Sequence, residues 1–203
     1  MRQDCLIETL KRGVSPFETV QAGRERLLEN GFTELNYGTQ WELVPGGRYV
    51  VNHHGTTLFA FTVGSNIKET LAAKRTGNSS DMPLRMAAAH TDYPCLRVKP
   101  NADFKTDVYA QVNVEVYGGP ILNTWFDRPL GLAGRVMVKS GNVLAPRTIL
   151  YRSKKPLMIV PNLAIHMNRD VNKGVEINNQ IDLKPVVDLL LQEETTTDYF
   201  LTF

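Results

Sequence analysis

The sequence predicts an α/β fold whose later portion is rich in β-structure, and three stretches predict it. A capped amphipathic helix opens at Ser15-Pro16-Phe17-Glu18. A run of small apolar residues, Leu84 to Ala89, ends abruptly at the polar triplet His90-Thr91-Asp92. Val108 to Tyr117 then alternates, with Val108, Ala110, Val112, Val114 and Val116 on one side and Tyr109, Gln111, Asn113, Glu115 and Tyr117 on the other. The first pattern is helical, the second is that of a strand covered on both faces, and the third is that of a half-buried antiparallel strand.

Asp4 to Leu10 is a candidate first helix. In the next one Ser15 suits the N-cap, Pro16 the first helical position and Glu18 the position three beyond the cap. Phe17, Val20, Leu27 and Leu28 form its apolar stripe, and Asn30-Gly31 closes it with a left-handed residue. A β-meander follows: Trp41 to Val44, Arg48 to Asn52 and Thr57 to Val63, turned at Pro45-Gly46-Gly47 and at His53-His54-Gly55. Ser65 to Met82 is polar and reads as a surface connection. After the strand into His90, Cys95 to Lys99 is extended, and composition shifts near Pro100. Beyond Val108–Tyr117, Gly118-Gly119-Pro120 turns the chain. Leu132 to Lys139, Val143-Leu144, Thr148 to Arg152 and Met158 to Val160 are further strands. Leu183 to Leu191 begins a helix or a strand, and the tail to Phe203 has no evident packing logic.

Composition excludes several classes of function. The 203 residues carry a net charge of +2, with 42% hydrophobic and 22% charged residues. No basic cluster exceeds Arg152-Lys154-Lys155, which argues against nucleic acid as a partner. No apolar run approaches about 18 residues, so no membrane span is expected. The charged start, Met1 to Arg12, has no apolar core of a signal peptide. Cys5 and Cys95 lack metal or redox spacing and read as free thiols of a reducing compartment, so a cytoplasmic protein is expected. Asn78-Ser79-Ser80 then matches a glycosylation acceptor only by chance.

His90 and Asp92 are the leading chemical pair. On extended backbone, residues two apart share a side, and a metal-bound imidazole needs an acceptor that fixes its tautomer. The competing reading is a satisfied histidine with an aspartate capping a turn. His166 lies among Asn162, Asn168 and Arg169, either in a functional loop or simply on the surface. His53-His54 reads as a solvated turn, Cys95 as packing, and Glu193-Glu194 as a solvated pair. Trp125-Phe126-Asp127-Arg128 reads as an interface or core anchor. A catalytic zinc needs about three protein ligands, and these residues alone do not supply them.

Three motifs, in order, carry a resemblance: Ala89 through Pro100; Val116-Tyr117-Gly118-Gly119 with Thr124 through Val136; and Ile159 through Asn172. Together with Ser15-Pro16-Phe17 and Gly46-Gly47-Arg48-Tyr49, they resemble the M18 metalloaminopeptidases, the aspartyl aminopeptidases. The resemblance implies part of a zinc-peptidase α/β domain followed by an inserted β-rich dimerisation domain. The division is 1–100 for the peptidase portion, 101–185 for the β-rich domain, and 186–203 for an atypical tail. It implies release of N-terminal, acidic residues from a peptide substrate by two zinc ions and a bridging water, in a cytoplasmic homo-oligomer. His90 matches the first metal ligand, Asp92 the carboxylate that orients it, and His166 a histidine that reaches a neighbouring subunit's substrate. Tyr93 departs from the family, which has serine there. The bridging aspartate, the Glu-Glu pair, the later carboxylate ligand and the final histidine have no counterpart. The expectation is an N-terminal portion with little activity of its own. The alternative is a non-catalytic oligomerisation or binding module derived from the same family.

Overall fold

The computed structural model describes residues 3–75, 84–142, 144–174 and 176–189. They form a mixed α/β architecture that divides into two compact units. The first holds 1–92 and 134–150, and the second 93–133 and 151–203.

In the first unit, α1 (Gln3–Arg12) leads to α2 (Pro16–Glu29). Ser15 is extended, and its hydroxyl accepts a hydrogen bond from the Glu18 amide at 3.3 Å. At the other end the Phe32 amide donates to the Leu27 carbonyl and the Gly31 amide to that of Leu28. Gly31, at φ +80°, supplies the left-handed residue this closure requires. Helix α2 packs against a sheet of β1 (Thr33–Glu34), β2 (Arg48–His53) and β3 (Thr57–Thr62). Strand β1 runs parallel to β2, and β2 antiparallel to β3. Tyr49, Val50 and Val51 are successive buried residues, so both faces of β2 are covered. A side chain at Gly23 would place its Cβ 3.1 Å from the Leu58 methyl, so glycine permits this close approach of helix to strand. The β2–β3 turn places His54 at φ +57° and Gly55 at φ +72°, the left-handed pair that a tight hairpin favours.

Three expectations in this unit are corrected. Trp41 to Val44 is not a strand: the Trp41 indole donates to the Asn36 carbonyl, and the Val44 amide donates to the Tyr49 hydroxyl. These bonds engage the segment locally, and Trp41 stacks on Phe61. The polar connection from Ser65 contains α3 (Ile67–Arg75), whose Thr70 amide and hydroxyl both bond the Asn66 carbonyl. The rest of that connection, with Asn78-Ser79-Ser80, lies outside the described residues. Residues 84–90 are not a strand either: among the described residues none pairs with them, and Leu84 and Met86 are 80% and 83% exposed. A run of small apolar residues becomes a buried strand only where neighbours cover it.

The first unit also takes in most of a two-stranded ribbon, β7 (Ala133–Val138) with β8 (Arg147–Arg152). The second unit contains β4 (Cys95–Thr106), β5 (Tyr109–Tyr117), β6 (Pro129–Leu130), β9 (Met158–Ile159) and β10 (Val186–Leu189). They form an antiparallel sheet in the order β4-β5-β10-β9-β6. The alternation of β5 holds: Ala110, Val112 and Val114 are buried, joined by Val160 and Leu183. Pro100 lies inside β4, at an irregularity in register between Val98 and Asp103, rather than in a connection. Within the stretch that begins at Leu183, Val186–Leu189 form strand β10, and the residues from 190 on, with Glu193-Glu194, lie outside the described residues.

Candidate active site

His90-Thr91-Asp92 follows the exposed run 84–89 in the first unit. The Thr91 hydroxyl donates to the Thr56 carbonyl at 3.0 Å, which ties the triplet to the β2–β3 turn. His90 Nδ1 is 2.6 Å from the Asp92 carbonyl oxygen and 3.2 Å from Asp92 Oδ1. Two acceptors on Nδ1 place the hydrogen there, which leaves Nε2 with the lone pair. The imidazole is 81% exposed and the carboxylate 36%. The two residues are thus in contact outside a strand, so the shared side of an extended strand is not what brings them together. The pair is suited to hold a metal through Nε2 or to exchange a proton there.

The described residues bring no third donor to this pair. No group of three or more His, Cys, Asp or Glu among them could hold a metal ion. They fit one ligand position with its orienting carboxylate, and not a complete zinc site.

The other sequence candidates separate. His166 lies in the second unit, exposed, in a turn closed by the Met167 and Asn168 amides donating to the Ala164 carbonyl. The His53 ring packs edge-on against Tyr37 and His54, with centroids 4.7 and 4.2 Å apart, so it is an aromatic contact of the hairpin. Cys95 begins β4 opposite Tyr117, and both Cys95 and Cys5 are half-buried. Trp125 ends a short 3-10 turn, Leu122–Trp125, and Phe126 bridges to Val160.

The structure also shows a cleft of about 310 Å³ in the first unit, lined by Phe17, Arg24, Asn52, His54, Arg135 and Leu150 among others. Arg135 lies over the Phe17 ring at 4.5 Å and donates to the His54 carbonyl at 2.9 Å. These residues come from three distant stretches, and no local motif signals them. At its edge Arg24 grips Glu34 through two nitrogens, Nε at 2.6 Å from Oε1 and Nη2 on Oε2. That hydrogen bonding holds the Glu34 carboxyl below its ordinary range and raises the Arg24 guanidinium.

The family model of the Aminopeptidase I zinc metalloproteases (M18) matches residues 9–199. The chain belongs to the M18 family. This M18 chain is 42% identical over 197 residues to a Clostridium acetobutylicum protein named "Probable M18 family aminopeptidase 2", covering 97% of this chain and 43% of that protein. It is 39% identical over 182 residues to the aspartyl aminopeptidase of Caenorhabditis elegans, covering 90% and 36%. Among solved structures it resembles a chain of the Ape4 and Nbr1 complex, with a TM-score of 0.76 and 31% identity over 95% of this chain and 36% of that one. The Thermotoga maritima M18 aminopeptidase shares the fold, with a TM-score of 0.71 at 19% identity, over 97% and 42%. The chain thus spans less than half the length of these relatives. No helix among the described residues is long and apolar enough to cross a membrane.

Proposed function

We propose that this M18 chain is one portion of a zinc aminopeptidase that releases N-terminal acidic residues from peptides, and that it contributes one side of the metal centre. The His90–Asp92 contact carries this reading, because it fixes the tautomer a metal ligand needs. In the reading, His90 Nε2 is a zinc ligand, and Asp92 holds the ring through Nδ1. His166 donates a hydrogen bond to the substrate carbonyl, or to the oxyanion that develops from it, in a neighbouring subunit. Zinc, when bound in such a site, polarises the carbonyl and acidifies water. The described residues fit a single ligand position, so no catalytic step is assigned to this chain alone. The acidic preference is supported by the aspartyl aminopeptidase among the relatives.

We also infer that the chain self-associates through its β-rich portion, residues 101–185 in the division that separates it from the peptidase portion 1–100. Support comes from a structural neighbour, the mApe1 dodecamer of yeast, together with the antiparallel sheet of the second unit. The second reading, a non-catalytic oligomerisation module, is favoured by that sheet and by the lack of a three-donor group among the described residues.

Zinc titration with sedimentation tests both readings. The peptidase reading expects one weakly held zinc per chain, lost in His90→Ala. Zinc binding that His90→Ala leaves unchanged contradicts the ligand assignment. A stable oligomer with no zinc bound at any concentration favours the module.

A further inference from the structure

We propose that Asp127 is the positioning residue for His166: it clamps the start of the loop on which that imidazole is carried. The proposal rests on the reading of His166 as a substrate contact.

Asp127 follows the Leu122–Trp125 turn and Phe126, and it adopts a left-handed backbone at φ +56°. That conformation is costly for most residues, and aspartate is among the few that tolerate it. Here it directs both polar groups of one residue onto one neighbouring segment. The Asp127 amide donates to the Val160 carbonyl at 2.9 Å, and Asp127 Oδ1 accepts from the Asn162 amide at 3.0 Å. Between those two groups sits Pro161, which has no amide hydrogen of its own. The clamp therefore takes the last acceptor before the proline and the first donor after it.

The clamped end is well anchored. Val160 is fully buried and bridges in parallel to Phe126. From Asn162 onward the loop is exposed, and its bends are closed by its own bonds. Asn162 Oδ1 accepts from the Leu163 amide at 2.9 Å, and the Ala164 carbonyl accepts from the Met167 and Asn168 amides at 2.8 and 3.1 Å. His166 lies within that turn, four residues beyond Asn162. Removing the carboxylate leaves these inner bends in place and frees the loop at its base. A hydrogen bond to a carboxylate is stronger than the same bond to a neutral acceptor.

The test is NMR on the full 203-residue chain. It follows exchange of the Asn162 amide and the imidazole resonances of His166. Asp127→Gly removes the acceptor while suiting the left-handed backbone, and Asp127→Asn keeps both an acceptor and a residue tolerant of that φ. The proposal expects Asn162 exchange about tenfold faster in Asp127→Gly, with shifted or broadened His166 resonances. It expects both to return toward wild type in Asp127→Asn. Retained resonances of buried Val160 and Leu183 show that each variant is folded. His166 resonances unchanged in Asp127→Gly would overturn the proposal, as would Asp127→Asn behaving like Asp127→Gly. No substrate enters the measurement. Failure of the substrate reading would show instead as undiminished turnover when His166 is replaced in an assembled enzyme, with the NMR result intact.

Discussion

His90 and Asp92 show how much a two-residue spacing determines. The Asp92 backbone carbonyl and side chain both reach His90 Nδ1, so both contacts that bear on the tautomer lie within three consecutive residues. The same local logic governs Glu34, whose carboxyl is held low first by its hydrogen bonds from Arg24. A carboxyl lowered on folding adds stability above its unfolded value, and that stability is lost as pH falls through the lowered folded value. Each partner is about a third exposed, so the pair is worth little, about 0.5 kcal/mol. Replacing Glu34 with Gln is expected to lower urea stability by about that amount near neutral pH in low salt. The deficit closes as pH drops below about 4, and added salt shrinks it at neutral pH. Parallel urea curves across pH check both trends; a deficit that grows in acid contradicts the assignment.

Among the elements, helix α2 was the most legible, because its signals are covalent neighbours. Ser15, Pro16 and Gly31 mark its ends, and each acts as its chemistry predicts. The cap is also a measurable contribution: Ser15→Ala is expected to cost about 1 kcal/mol in chemical denaturation. Ser15→Asp should retain most of that stability; equal losses from both substitutions would show that burial of Ser15, and not its hydrogen bond, is what matters. Strands β2, β3 and β5 were legible from β-branched and aromatic content or alternation. The strands β1 and β6 were not, since each is two residues long and exists only by pairing with a distant partner; β9, equally short, was legible from the apolar run Met158 to Val160. Residues 84–89 fail as a strand for the related reason that burial is supplied by neighbours and not by the segment itself. Helix α3 was hidden by its polar surroundings, and its apolar residues Ile67, Leu71, Ala72 and Ala73 were too few to stand out.

At the scale of the whole molecule, family membership was carried by three long motifs in order, and the match over residues 9–199 agrees with them. The site was legible only in part. His90 and Asp92 announce themselves locally, whereas the Asp127–Asn162 contact at the base of the loop that carries His166 spans 35 positions of sequence. The cleft beside Phe17 and Arg135 draws on still more distant residues and leaves no mark in the sequence. What the described residues assemble is one imidazole held by one carboxylate, and hydrolysis by two metal ions needs a fuller set of ligands. The central claim is therefore that this chain supplies part of an aminopeptidase centre. Its most direct test is release of aspartate or glutamate from an N-terminally acidic peptide by the purified 203-residue chain, with zinc or manganese added and with chelator as control. The account predicts no chelator-sensitive turnover above the metal blank; chelator-sensitive turnover in the ordinary enzymatic range, about 1 per second or faster, would contradict it.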